Sequence, residues 1–142
     1  MTDLSSTLFQ KLEFCHAAIL AGMAEVEEHC SREIPDLAAL ALVRVKLSRA
    51  STERSKLVRD VIVPKLLENA DPAFRGELSL MLEAFTAKRV ASSKHVATWS
   101  SWTIQQNWDG YREASRTIRK MMQDQIDRER KILSRRLRER GL

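Results

Sequence analysis

Glycine and proline are scarce in this 142-residue chain, with four and three copies respectively. So few turn-formers exclude a fold of many short strands, while the abundance of Leu, Ala, Arg, Glu and Lys favours helix. There are two cysteines, Cys15 and Cys30, and no CxxC pair, which leaves neither a disulfide framework nor a thiolate zinc site. On one continuous helix the two would stand about 22 Å apart, far beyond disulfide reach, so both are expected to be free thiols. No apolar run approaches the roughly 20 residues of a membrane span. The opening MTDLSSTLFQKLEF has no basic stretch ahead of an apolar core, so no secretory signal is expected and the location implied is cytoplasmic. Gly-rich phosphate loops, nucleophile motifs and a paired acid and base are also missing, and no enzyme activity is expected.

What the chain does contain is helical periodicity over four segments. The first runs from about Leu4 to Cys30, with Leu8, Leu12, Cys15/His16, Ile19, Met23, Val26 and Cys30 inward. After a break around Pro35, the second runs from about Asp36 to Glu68. Leu40, Val43, Leu47, Ala50, Arg54, Leu57 and Val61 form one stripe, and Ser51, Ser55, Val58 and Ile62 the adjoining one. Pro64 should kink or loosen its last turn. Asp71 can cap the third segment with Pro72 at its first position. That segment extends to about His95 or Val96, through Phe74, Leu78, Met81/Leu82, Phe85, Arg89 and Ser92. Thr98 or Ser101 can cap a fourth segment running on to about Arg140. Gly110 lies inside it, at a cost of about 1 kcal/mol relative to Ala. Its seam steps by four and three: Ile104, Trp108, Tyr111, Ser115, Ile118, Met122, Gln125, Glu129, Ile132. The expected fold is all-α: a single domain over residues 1–142, an antiparallel up-down four-helix bundle.

Each seam carries a polar residue. These are His16 on the first helix, and Arg54, Ser55 and Arg59 on the second. The third has Lys88, Ser92 and His95, and the fourth Gln125 and Glu129. Inward ligands on facing helices are how bundle metal sites are built, yet only His16, His95 and Glu129 suit a metal, with Asp60 or Asp124 joining if they turn inward. The plainer readings are a core histidine hydrogen-bonded to a neighbour for His16 and a helix-end histidine set against the dipole for His95. His29, among Glu27 and Glu28, is expected at the surface. Trp99, Trp102 and Trp108 are expected to pack together at the head of the last helix.

Two stretches carry a family resemblance. HVATWSSWTIQQNWDGYREASRTIRKMMQDQIDRERKIL resembles the third-to-fourth helix region of bacterial hemerythrin-like (HHE cation-binding) proteins, and STERSKLVRDVIVPKLL resembles their second helix, Pro64 included. The resemblance implies a hemerythrin-like bundle over nearly the whole chain. Carried over residue by residue, the family's first-helix histidine falls on His16 and the fourth-helix glutamate on Glu129. Its other ligands fall near Ser55 (His), near Arg59 (Glu), on Gln125 (His) and on Arg130 (acid), while His95 stands near a third-helix position. Arginine offers no lone pair to iron, and its charge opposes a dication. The metal set of His16, Glu129 and His95 is therefore read as vestigial, with no cofactor expected.

Glu129 then needs another partner, because a carboxylate facing a core is costly alone. A second-helix arginine, Arg59 first and Arg54 second, is expected to fill the vacated space and grip Glu129. Gln125, Ser55 and His16 would take the remaining bonds. The function implied is non-enzymatic: binding of a protein partner or small ligand, with a regulatory or structural role. One alternative is an iron- and dioxygen-binding protein with a reduced ligand set. Another is nucleic-acid binding through the basic last helix. Residues 112–142 carry 11 Lys/Arg against 5 Asp/Glu, while residues 3–36 carry seven acids against Lys11 and Arg32. Pairing the acidic first helix with the basic last one would absorb part of that charge, and no nucleic-acid motif accompanies it. The segment beyond Ile132 is expected past the core or at a solvated edge, because its arginines are too dense to bury.

Overall fold

The computed structural model describes residues 6–142; the expected first turn at Leu4 lies outside them. The chain is all-α, with no strand among the described residues. Helix α1 spans Leu8–Cys30. Helix α2 spans Leu37–Leu57 and continues unbroken through a π-helical turn, Val58–Ile62, into Val63–Leu67. Helix α3 is Pro72–Thr98 and α4 the short Ser101–Gln106. Helix α5 spans Trp108–Glu129 and continues through a second π-helical turn, Arg130–Ser134, into Arg135–Glu139.

The starts are set by side chains that accept from orphan backbone N–H groups. Thr7 and Gln10 form a reciprocal capping box on α1. Asp36 accepts from Ala39 N–H at 3.2 Å and Asp71 from Phe74 N–H at 2.8 Å. The last expected helix is in fact two. Ser100, rather than Thr98 or Ser101, caps α4, and Asn107 caps α5 by accepting from Gly110 N–H at 3.0 Å. Gly110 thus sits in a first turn, not mid-helix. A Cβ there would stand 2.4 Å from the Asn107 amide nitrogen, so its lack of a side chain makes room for the cap.

Pro64 perturbs α2 upstream rather than ending it. Its ring crowds the carbonyl four residues back and it has no N–H to offer. The backbone widens, and Val63 N–H reaches Val58 C=O in an i→i−5 bond. In α5, Arg135 N–H reaches Arg130 C=O in the same way. A wider turn lets steps of four hold one face, so the inner seam after Glu129 runs Leu133, Leu137 instead of through Ile132. On α2 it runs Arg54, Val58, Ile62, leaving Val61 exposed.

Helices α1 and α2 lie close together, as do α3 and α5, whereas α2 and α3 stand further apart. Gly22 permits the first approach: a Cβ there would lie 3.1 Å from Leu47 Cδ1. Leu12, Val58, Ile62, Leu66, Phe74, Leu78, Met81, Phe85, Leu133 and Leu137 fill the larger apolar core. Val26, Cys30, Leu40, Ile104 and Tyr111 fill another at the opposite end, with Ile19, Met23 and Ile126 between. Each fully buried side chain of this size contributes about 1.5–3 kcal/mol.

Of the two placements expected for the basic segment after Ile132, it takes the solvated edge: it does not project beyond the core, and Arg135, Arg138 and Arg140 are exposed. Leu133 and Leu137 are buried, and the Leu142 carbonyl accepts from Phe9 N–H at 3.2 Å. Two of its arginines lie over aromatic faces, Arg136 at 3.9 Å from the Phe74 ring centre and Arg138 at 5.5 Å from that of Phe9. Long arginine stems cover apolar surface while their heads stay wet, which is how so dense a run can dock. The acidic α1 does meet basic α5, through Arg119–Glu27 at 3.1 Å and Arg130–Glu13 at 3.7 Å. His29 is buried rather than exposed. Trp99 and Trp108 flank Tyr111 with ring centres 5.7 and 5.8 Å away, while Trp102 stands apart, exposed.

Candidate functional site

Between the apolar cores lies a layer of charge. It follows from one-turn spacing: His16 lies between Leu12 and Ile19 on α1, Arg54 one turn before Val58 on α2, and Glu129 between Ile126 and Leu133 on α5. Glu129 is 0% exposed and Arg54 7%. Arg54 Nη1 donates to Glu129 Oε2 at 2.6 Å, and Gln125 Nε2 donates to the same oxygen at 2.7 Å. His16 Nε2 stands 2.8 Å from Oε1. A carboxylate can only accept, so the bond requires the His16 proton on Nε2. Lys88 Nζ donates to Gln125 Oε1 at 3.3 Å and Arg54 Nη2 to Ser51 Oγ at 3.4 Å. The guanidinium carbon of Arg54 also lies 5.3 Å from the Phe85 ring centre.

Burial by itself pushes the Glu129 carboxyl up. The His16 hydrogen bond, the Arg54 charge and the Gln125 hydrogen bond outweigh it and hold the group below its ordinary value. Charge-assisted bonds of this length are about twice as strong as neutral ones, which is how an ionised glutamate persists in the interior.

The arginine at Glu129 is Arg54, not Arg59. Arg59 belongs to the first π-helical turn, which directs Val58 and Ile62 inward and turns its own side chain out. It is 49% exposed and bound to Asp60 at 2.8 Å. Ser55 is buried beside Arg54, but its hydroxyl makes no bond to Glu129 among the described residues. His95 is not part of the cluster. It sits in the last turn of α3, stacked on Tyr111 with ring centres 5.9 Å apart. Burial, with the Arg44 charge in addition, lowers its pKa to about 4, so it is neutral near pH 7 despite its helix-end position. Asp124 faces solvent.

This donor set does not fit a metal. Both Glu129 oxygens are engaged by N–H donors, and a guanidinium occupies the place beside them. No group of three or more His, Cys, Asp or Glu among the described residues could hold an ion.

Beside the cluster, between α2, α3 and α5, opens a cavity of about 360 Å³. Phe85, Ile118 and Met122 supply apolar wall; Ser51, Ser55 and Ser115 supply hydroxyls. Among the described residues its charged lining is of one sign: Arg44, Arg54, Lys88, Arg89 and Arg119, with no Asp or Glu. Sequence reasoning missed this feature. Arg44 lies at the edge of the Leu40–Leu47 stripe, and nothing in spacing alone shows that α2 and α3 stand apart.

No protein-family model, curated protein or solved structure matches the chain.

Proposed function

We propose that this chain is a cytoplasmic, hemerythrin-like antiparallel four-helix bundle without a metal centre, and that it acts as a non-enzymatic binding protein. The Arg54–Glu129 pair, buttressed by His16 and Gln125, stands where a di-iron site would be. The cavity beside it takes the ligand. The observation that carries the reading is the engagement of both Glu129 oxygens by N–H donors: Oε1 by His16, Oε2 by Arg54 and Gln125. Three N–H donors occupy most of the carboxylate's roughly four acceptor sites, and its arginine brings a charge that opposes a cation. The cavity next to it has the mixture of apolar wall and a few convergent polar groups that marks ligand sites.

Elemental analysis tests the metal-free part. Protein from cells grown with added iron, manganese and zinc should hold far less than one metal per chain. A content of about two per chain, the complement of a di-iron bundle, would overturn the reading.

A further inference from the structure

We propose that the cavity between α2, α3 and α5 is a receptor for a small amphipathic organic anion, a carboxylate or phosphate head on an apolar body. This rests on the reading of the chain as a ligand-binding protein and names the class of ligand. Among the described residues, five cationic side chains line the cavity and no carboxylate does. Two of them are balanced nearby, Arg54 by Glu129 at 2.6 Å and Arg119 by Glu27 at 3.1 Å. Arg44, Lys88 and Arg89 have no carboxylate within 4.0 Å among the described residues. Like charges gathered around one hollow repel, and the arrangement is relieved by an anion entering it.

Two buried N–H groups point to the same conclusion. Arg44 Nη2 and Arg54 Nε have no hydrogen-bond partner among the described residues, although Arg54 is only 7% exposed. A buried donor left unpaired is costly, more so when charged, and both atoms belong to side chains that line the cavity. Arg44 is also poised: its guanidinium lies 5.4 Å from the Tyr111 ring centre, which fixes its plane without consuming its N–H groups. The Phe85, Ile118 and Met122 wall suits an apolar body, and the adaptable thioether tolerates some variation in its shape.

The test uses one body with four heads: 3-phenylpropionate, 2-phenylethyl phosphate, 3-phenylpropionamide and 3-phenylpropylamine, each titrated calorimetrically into the intact protein. The two anions should bind saturably and the amide and amine at least tenfold more weakly. Whichever anion binds tighter identifies the head. Arg44→Gln and Lys88→Gln should each weaken the better anion by about tenfold or more, the loss of one charge-assisted bond. Arg116→Gln removes an equal charge from an exposed position on α5 outside the cavity and should change affinity less than twofold. Circular dichroism checks that all three variants fold. An amide binding as tightly as the acids would overturn the anion inference and leave the binding reading intact. So would an Arg44→Gln effect no larger than that of Arg116→Gln. If neither anion binds in a protein found metal-free, the anion inference alone falls. About two metals per chain, as in other di-iron bundles, would sink the functional reading whatever the titrations gave.

Discussion

Replacing Arg54 by Met removes the guanidinium from Glu129 while keeping a side chain of similar reach. Breaking a buried ion pair from one side costs about 3–5 kcal/mol, because the remaining charge is stranded. The chain has one escape, which is to protonate Glu129. At pH 7 that costs about 1.36 kcal/mol for each unit separating pH from the ordinary glutamate value of 4.5, or about 3.4 kcal/mol. Lost contact with Phe85 adds about 0.5–1 kcal/mol. The expected penalty at pH 7 is therefore about 4 kcal/mol, a fall in Tm of roughly 10–15 °C for a chain of this size.

The pH dependence supplies the sharper test. With Arg54 present, the folded-state carboxyl titrates below its ordinary value. Its contribution is present above about pH 4.5 and is lost as pH falls through the folded pKa. In the Arg54→Met protein the same carboxyl should titrate above 4.5, so that the folded state loses ground as pH rises. The difference between the two proteins should thus grow from pH 4.5 to 7, by up to about 3.4 kcal/mol. Urea unfolding followed by circular dichroism at each pH measures it. Combining Arg54→Met with Glu129→Gln removes both charges and leaves an amide oxygen to accept from His16 or Gln125. The pair should cost no more than about 1–2 kcal/mol, since neutral replacement of a buried ion pair is often tolerated. Arg59→Met should not move the midpoint. A single-variant penalty below about 1 kcal/mol at pH 7 would refute this account of the cluster. A penalty independent of pH, or a double variant as unstable as the single, would do the same.

Three further outcomes follow from other parts of the molecule. The folded-state pKa of His95 is about 4 against an ordinary 6.5, so stability should fall as pH drops from about 6.5 towards 4, where only the unfolded histidine gains a proton; His95→Gln should flatten that slope in the same unfolding series. Gly110→Ala should fail to stabilise the protein, because the roughly 1 kcal/mol of helix propensity gained is offset by disturbance of the Asn107 cap, itself worth about 1 kcal/mol; a Tm gain of several degrees would contradict the capping role. DNA or RNA should show no gel shift even at low salt, since arginines of the C-terminal segment lie over Phe74 and Phe9; a shift weakening steeply with salt would point to the nucleic-acid alternative instead.

Helix type and most inward residues were legible because the apolar spacing is strong and local. Asp36, and Asp71 followed by Pro72, announced their helix starts with side chains whose capping chemistry needs no tertiary information. Asn107 carried the same signal, an Asn three residues before a Gly, but the uninterrupted apolar seam through Ile104, Trp108 and Tyr111 masked it. A capping break can preserve the face on either side of it, so periodicity alone does not register the joint.

The register beyond Val58 and Glu129 was illegible for a different reason. Both positions lead into a π-helical turn, and one widened turn changes which residue a fixed step of three or four reaches. The family resemblance put Arg59 opposite Glu129, while an extrapolated α-helical register put Val61 and Ile132 in the seams. The actual backbone puts Val58 and Ile62 inward on α2, and Leu133 and Leu137 inward on α5. Pro64 supplies a cause for the first turn; nothing in Arg130–Ser134 supplies one for the second from sequence. The requirement that a buried glutamate find a cation was readable from Glu129 alone. Which arginine met it depended on where the backbone widens. The turn begins one residue before Arg59 and four after Arg54, so Arg54 sits in regular helix aimed at the interior while Arg59 is rotated to solvent. The same side chain that neutralises Glu129 keeps its Nε without a hydrogen-bond partner among the described residues.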